Sequence, residues 1–128
     1  MGQVKIYGLE ENINRNRDII SSAIHKSIVE ALQFPEDKKF QRFIKLSADD
    51  FVFPESRSEK YLIIEIVMFA GRSDDTKKQL IKLLFENLKK INIDENDVEI
   101  VLFEEPPINW GIRGCNGEDL KINYKVDI

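Results

Sequence analysis

The side chains able to do chemistry in this chain are few in type, and most of them are simple cations and carboxylates. The 128 residues contain one histidine, His25, and one cysteine, Cys115, against 19 Lys+Arg and 23 Asp+Glu. A zinc site would need Asp and Glu to complete it, which structural zinc rarely uses. A lone Cys rules out an internal disulfide framework and suits a reducing cytoplasm, the location expected for the protein. Neither a metal nor a cofactor is expected. The formal net charge of -4 argues against nucleic-acid binding, which needs a clustered basic surface.

The candidates are therefore groups that could hold a small anion. Arg72 lies in Gly71-Arg72-Ser73-Asp74-Asp75, at an expected strand-to-helix junction where backbone N–H groups favour negative charge. The alternative is a surface ion pair with Asp74 or Asp75, which contributes little. Arg113 is flanked by Gly111 and Gly114, which allow close backbone approach; it either binds an anion or bonds local carbonyls. Lys38 and Lys39 either supply positive charge at a pocket mouth or form a solvated turn. Trp110 either anchors the C-terminal segment at a subunit interface by its area or stacks on a ligand. Glu65 is the one charge in the most apolar stretch, and its simplest reading is a structural ion pair with Arg42. The sharper one is a base with a raised pKa. His25 falls off the apolar line of its helix and reads as a partly exposed surface residue, and nothing near Cys115 marks it as a nucleophile.

These residues need elements to position them. Val4 and Ile6 belong to a short strand ending at Gly8. Ile20, Ile24, Ile28 and Leu32 recur every fourth residue and predict a helix from about Asn14 to Pro35. Strands follow at Phe40–Leu46 and Tyr61–Phe69, the second strongly apolar and interrupted only by Glu65. Ser73 is placed to cap a second helix, with Asp74 and Asp75 in its first turn and Leu80, Leu84 and Leu88 on its apolar stripe. Asp97 to Glu104 reads as a fourth strand. Asn116-Gly117 signals a tight turn, and Leu120 to Ile128 alternates as a strand.

Strand, helix, acidic loop and strand thus occur twice in one domain spanning 1–128. The copies cover about 3–47 and 61–104, with a tail at 105–128 and an offset of about 58 to 59 residues. Each copy is a βαβ unit with parallel strands, and two side by side give an α/β, two-layer fold: a four-stranded mixed sheet with both helices on one face. The other face lacks a helix, so a further subunit is expected to cover it. The N-terminus lacks the basic and apolar regions of a signal peptide, and Ile6 stands where a myristoylation site needs Ser or Thr. No apolar run approaches membrane-spanning length, so no membrane partner is expected.

Phe34-Pro35-Glu36-Asp37, Gly71-Arg72-Ser73 and Asn109-Trp110-Gly111-Ile112-Arg113-Gly114, set in tandem βαβ units of this length, resemble the tautomerase superfamily, with the macrophage migration inhibitory factor-like fold. The nearest resemblance is to its malonate semialdehyde decarboxylase-like branch. The resemblance implies a homotrimer and an active site around an N-terminal proline amine, with arginines holding the carboxylate of a small oxo-acid. Here position 2 is Gly2. Its amine could act as the base only once Met1 is removed, since retention turns that nitrogen into an amide. Lys38 stands where the decarboxylase branch has Asp, and Ala70 where it has a second arginine beside Arg72.

The resemblance implies a keto–enol tautomerase for a small 2-oxo or enol carboxylate, with Gly2 as the catalytic group and Arg72, Arg113, Lys39 and Trp110 binding substrate. The alternative is a trimeric, non-catalytic binding protein for a small anionic ligand on the same scaffold.

Overall fold

The computed structural model describes residues 2–121 and 125–128. Its elements are β1 (Gly2–Leu9), α1 (Glu10–Leu32), β2 (Gln41–Leu46), β3 (Leu62–Phe69), α2 (Asp74–Lys89) and β4 (Val98–Glu105), followed by a two-residue-per-strand hairpin, β5 (Gly111–Ile112) and β6 (Cys115–Asn116). The main sheet runs β2-β1-β3-β4. β1 and β2 are parallel, as are β3 and β4, while β1 and β3 are antiparallel. This is the expected four-stranded sheet of two βαβ units.

Alternation along the strands decides what faces the helices. Val4 and Ile6 on β1 and Leu62, Ile64, Ile66 and Met68 on β3 are buried under the two helices. Ile20, Ile24, Ile28 and Leu32 of α1 and Leu80, Leu84 and Leu88 of α2 close over them, as the fourfold spacing predicts. The opposite face carries Tyr7, Ile63, Glu65 and Val67, with Val101 and Phe103 of β4 exposed at 47% and 41%. The protein's own helices leave that face open, and no helix among the described residues is long and apolar enough to cross a membrane.

The halves are related by a near two-fold. Lys5 pairs with Glu65 across the central antiparallel strands, and those residues are 60 apart, the separation that also joins Ser27 to Asn87 between the helices. Equivalent positions therefore meet each other on the axis.

Several local expectations are corrected. α1 begins at Glu10 rather than near Asn14: Leu9 caps it without a side-chain bond, and the charges of Glu10 and Glu11 favour the positive helix end instead. Glu65 does not pair with Arg42; it accepts a 2.9 Å bond from the Tyr7 hydroxyl, while Arg42 donates to Gln3. Asn116-Gly117 is not the hairpin turn. That turn is Arg113-Gly114, both left-handed at φ 50° and 81°, the geometry that suits the twist of a tight hairpin. Asn116 instead caps a short helical turn by accepting from Glu118 N–H. Gly117 is needed for space, because a Cβ there would collide with the Pro107 carbonyl oxygen. Of the expected C-terminal strand, residues 120–121 and 125–128 are not in a strand, and positions 122–124 lie outside the described residues.

Candidate functional site

Strand direction gathers the candidates at one end of the sheet. β1 and β2 begin there and β3 and β4 end there, so Gly2, Lys38, Lys39, Arg72, Trp110 and Arg113 all come from that edge. The segment following Met68 links three of them. Gly2 pairs with Met68, Arg72 Nη1 donates to the Phe69 carbonyl at 3.1 Å, and Trp110 meets the Phe69 ring edge-on at 4.9 Å.

Arg72 is not a surface residue. It is only 5% exposed and forms no ion pair with Asp74 or Asp75. Its Nε and Nη2 are buried and have no hydrogen-bond partner among the described residues. Burial depresses the guanidinium pKa below its ordinary value, opposed by the neighbouring Glu104 carboxylate. That carboxylate is already engaged, at 2.8 Å, by Lys77. A buried cation with two idle donors is costly unless something negative completes it, since orphaned donors lose their hydration without replacement. The local sequence explains the placement. β3 is apolar from Ile66 to Phe69, Gly71 takes φ 133°, and Ser73 then starts α2 by accepting from Thr76 N–H, as its position predicts.

Gly2 is half-buried at the head of β1, and a Cβ on it would lie 3.7 Å from Phe34 Cζ. It opens on a narrow crevice shared with Phe34, Ile66, His25 and Lys38. His25 Nε2 is 2.7 Å from the Glu36 carbonyl oxygen, an acceptor, which places the ring proton on that nitrogen. Lys39 is exposed on the rim and lines a shallow groove with Gln3, Phe40 and Arg42. Arg113 is exposed at the hairpin tip and has no hydrogen bond or ion pair among the described residues. Trp110 is 8% exposed and its Nε1–H donates to the Glu105 carbonyl at 3.2 Å. Its indole packs within the chain, against Phe69, with Val126 and Leu120 in the same small cluster.

Sequence reasoning missed Lys77, which neutralises Glu104 beside Arg72, and Thr76, whose hydroxyl donates to the Ile128 carbonyl at 2.7 Å. The Lys77 partnership pairs residues far apart in sequence and had no local signal. Among the described residues, no cluster of His, Cys, Asp and Glu could hold a metal ion.

Residues 38–113, more than half of the chain, match a family profile described as "Tautomerase enzyme". Solved structures of the same fold include FG41 malonate semialdehyde decarboxylase inhibited by 3-bromopropiolate, at 26% identity and TM-score 0.77, covering 85% of this chain and 87% of that one. Pt0534 inactivated by 2-oxo-3-pentynoate aligns at 16% identity and TM-score 0.82, covering 93% and 99%. Native fused 4-OT aligns at 17% and 0.79, covering 92% and 98%.

Proposed function

The chain belongs to the tautomerase family, and on that premise we propose that it binds a small 2-oxo or enol carboxylate at Arg72 and moves a proton within it through a free amine at Gly2. One observation carries the reading: Arg72 is buried with two unpartnered donor nitrogens at the end of the sheet where β1 begins. A carboxylate would accept from those donors in a charge-assisted pair and relieve the burial penalty. An unblocked Gly2 amine, with an ordinary α-amino pKa of about 7.7–8.0, is partly unprotonated near neutrality. It could take the enol hydroxyl proton from C2 and return it to C3, giving the keto acid. Arg72 would hold charge that develops as the enol oxygen loses its proton. Lys39 and Arg113 are exposed and would serve at the rim, and Trp110 would set the wall behind Phe69.

A homotrimer fits the same reading. The open sheet face carries exposed Val101 and Phe103, and one similar solved protein, wild-type fused 4-OT, is described as an asymmetric trimer. A cytoplasmic location accords with the single free thiol, Cys115.

The second reading, an anion-binding protein without turnover, is favoured by glycine at position 2, where retained Met1 would make the nitrogen an amide. Two preparations separate the readings, one with Met1 retained and one with it removed, each verified by mass. Phenylpyruvate tautomerisation confined to the Met-free protein supports catalysis by Gly2. Carboxylate binding in both, with no rate above buffer in either, leaves the binding protein.

A further inference from the structure

Glu104 and Arg72 share one end of the sheet without bonding to each other. Glu104 pairs with Met68 between β4 and β3, and the Ala70 N–H donates to the Glu105 carbonyl at 2.9 Å, so β4 runs beside the chain to within two residues of Arg72. Phe69, between those two contacts, is the residue whose carbonyl takes Arg72 Nη1. The charge that favours the Arg72 cation against its burial is the Glu104 carboxylate. A carboxylate beside a buried guanidinium ordinarily closes a two-bond pair with it, the geometry that the guanidinium fork suits. Here Nε and Nη2 stay unpartnered among the described residues.

Lys77 accounts for the missing pair. It sits one turn into α2, its own N–H donating to the Ser73 carbonyl at 3.1 Å. Its Nζ lies 2.8 Å from Glu104 Oε1 and 3.5 Å from Asp74 Oδ1. The Lys77 and Glu104 side chains are each 27% exposed, so their contact is partly shielded from water. The hydrogen bond to Glu104 is also the main reason that the Lys77 ammonium keeps its proton above the ordinary lysine range. Two cations thus compete for one acid, and the ammonium holds it.

We propose that Lys77 is a positioning residue for the anion site: by holding Glu104, it keeps the Arg72 donors free for a small carboxylate ligand. The proposal rests on the assignment of Arg72 as the anion site. Without Lys77, Glu104 becomes a carboxylate already tethered next to Arg72, and a tethered group outcompetes a free one by its effective concentration. The fraction of molecules ready to bind then falls, and the apparent affinity falls with it.

Malonate titrated calorimetrically into the full chain tests this. Lys77→Met should weaken binding by about tenfold or more, while Lys77→Arg, which can still hold Glu104, stays within about twofold of the parent. The deciding variant is Lys77→Met/Glu104→Gln. With no carboxylate to release, the loss caused by Lys77→Met should vanish against Glu104→Gln. An equal loss in both backgrounds would mean that Lys77 merely attracts the anion through space, and overturns the proposal. Unchanged binding by Lys77→Met overturns it as well. Arg72→Met keeps the two ideas apart: if it binds malonate as well as the parent, the anion site itself fails. If Arg72→Met loses binding while Lys77→Met does not, only the positioning role fails.

Discussion

Ser27 and Asn87 hydrogen-bond to each other at the centre of the helix layer: the Asn87 amide donates to Ser27 Oγ at 2.9 Å, and that hydroxyl donates onward to the Ala23 carbonyl at 2.9 Å. Ser27 is fully buried and Asn87 nearly so, and both sit on the near two-fold that relates the halves. Removing one partner orphans the other, which is worse than removing both. Ser27→Ala is expected to destabilise by about 1–3 kcal/mol. The double variant Ser27→Ala/Asn87→Leu recovers a good part of that loss in a urea-unfolding cycle. A purely additive cycle would show that the bond is not coupling the helices.

Arg72 sets stability against binding. Arg72→Met removes a buried charge with two idle donors and keeps most of the volume, so stability rises by about 1–3 kcal/mol. Thermal unfolding should move up by about 4 °C per kcal/mol. Binding of malonate should weaken by about 10- to 100-fold, the worth of a charge-assisted contact. A lower melting point would mean that Arg72 is already satisfied.

Tyr61 reports on the opposite end of the sheet. Its ring stacks on Phe51 at 5.4 Å and lies 5.0 Å from Phe53. Burial, then the neighbouring Glu99 carboxylate, pushes its pKa up to about 12, against a partial opposing effect of Arg57. The neutral phenol is therefore the form that the fold favours. Its contribution is fully present below the unfolded value, about 10, and is lost as pH rises from there through about 12. Phenolate absorbance of the parent minus that of Tyr61→Phe should show a step near pH 12. A step near 10 would place the ring in water.

The open sheet face gives a test of assembly. Phe103→Lys puts a charge where a covering subunit would sit, on a strand whose Val101 and Phe103 are exposed in one chain. Sedimentation should fall from three times 14.9 kDa toward one. A parent protein that already sediments as one chain sinks the trimer.

Much of the fold was legible because its signals are local. Ile20, Ile24, Ile28 and Leu32 mark a helix face by spacing alone, and Ser73 announced the start of α2 through a bond three residues long. α1 hid its first turn because Leu9 offers no capping side chain. Tyr7 was illegible as the partner of Glu65, since 58 residues and the register of two strands separate them. Of the candidate site, the junction holding Arg72 could be read from Gly71-Arg72-Ser73. Its burial could not, because Val126 and Ile128, which flank it, approach from more than fifty positions away.

The near two-fold also means that the sheet has two ends of common design and unequal use. Sixty residues before Arg72 stands Asn12, likewise buried and likewise with an unpartnered nitrogen, Nδ2. The counterpart of Gly2 is Leu62, whose nitrogen is a peptide amide in mid-chain, immediately after Tyr61, whose ring packs with Phe51 and Phe53. The proton transfer proposed for a free Gly2 amine would have no counterpart at Leu62. At that end the Phe51, Phe53 and Tyr61 rings pack on one another and hold the connection between β2 and β3 in place.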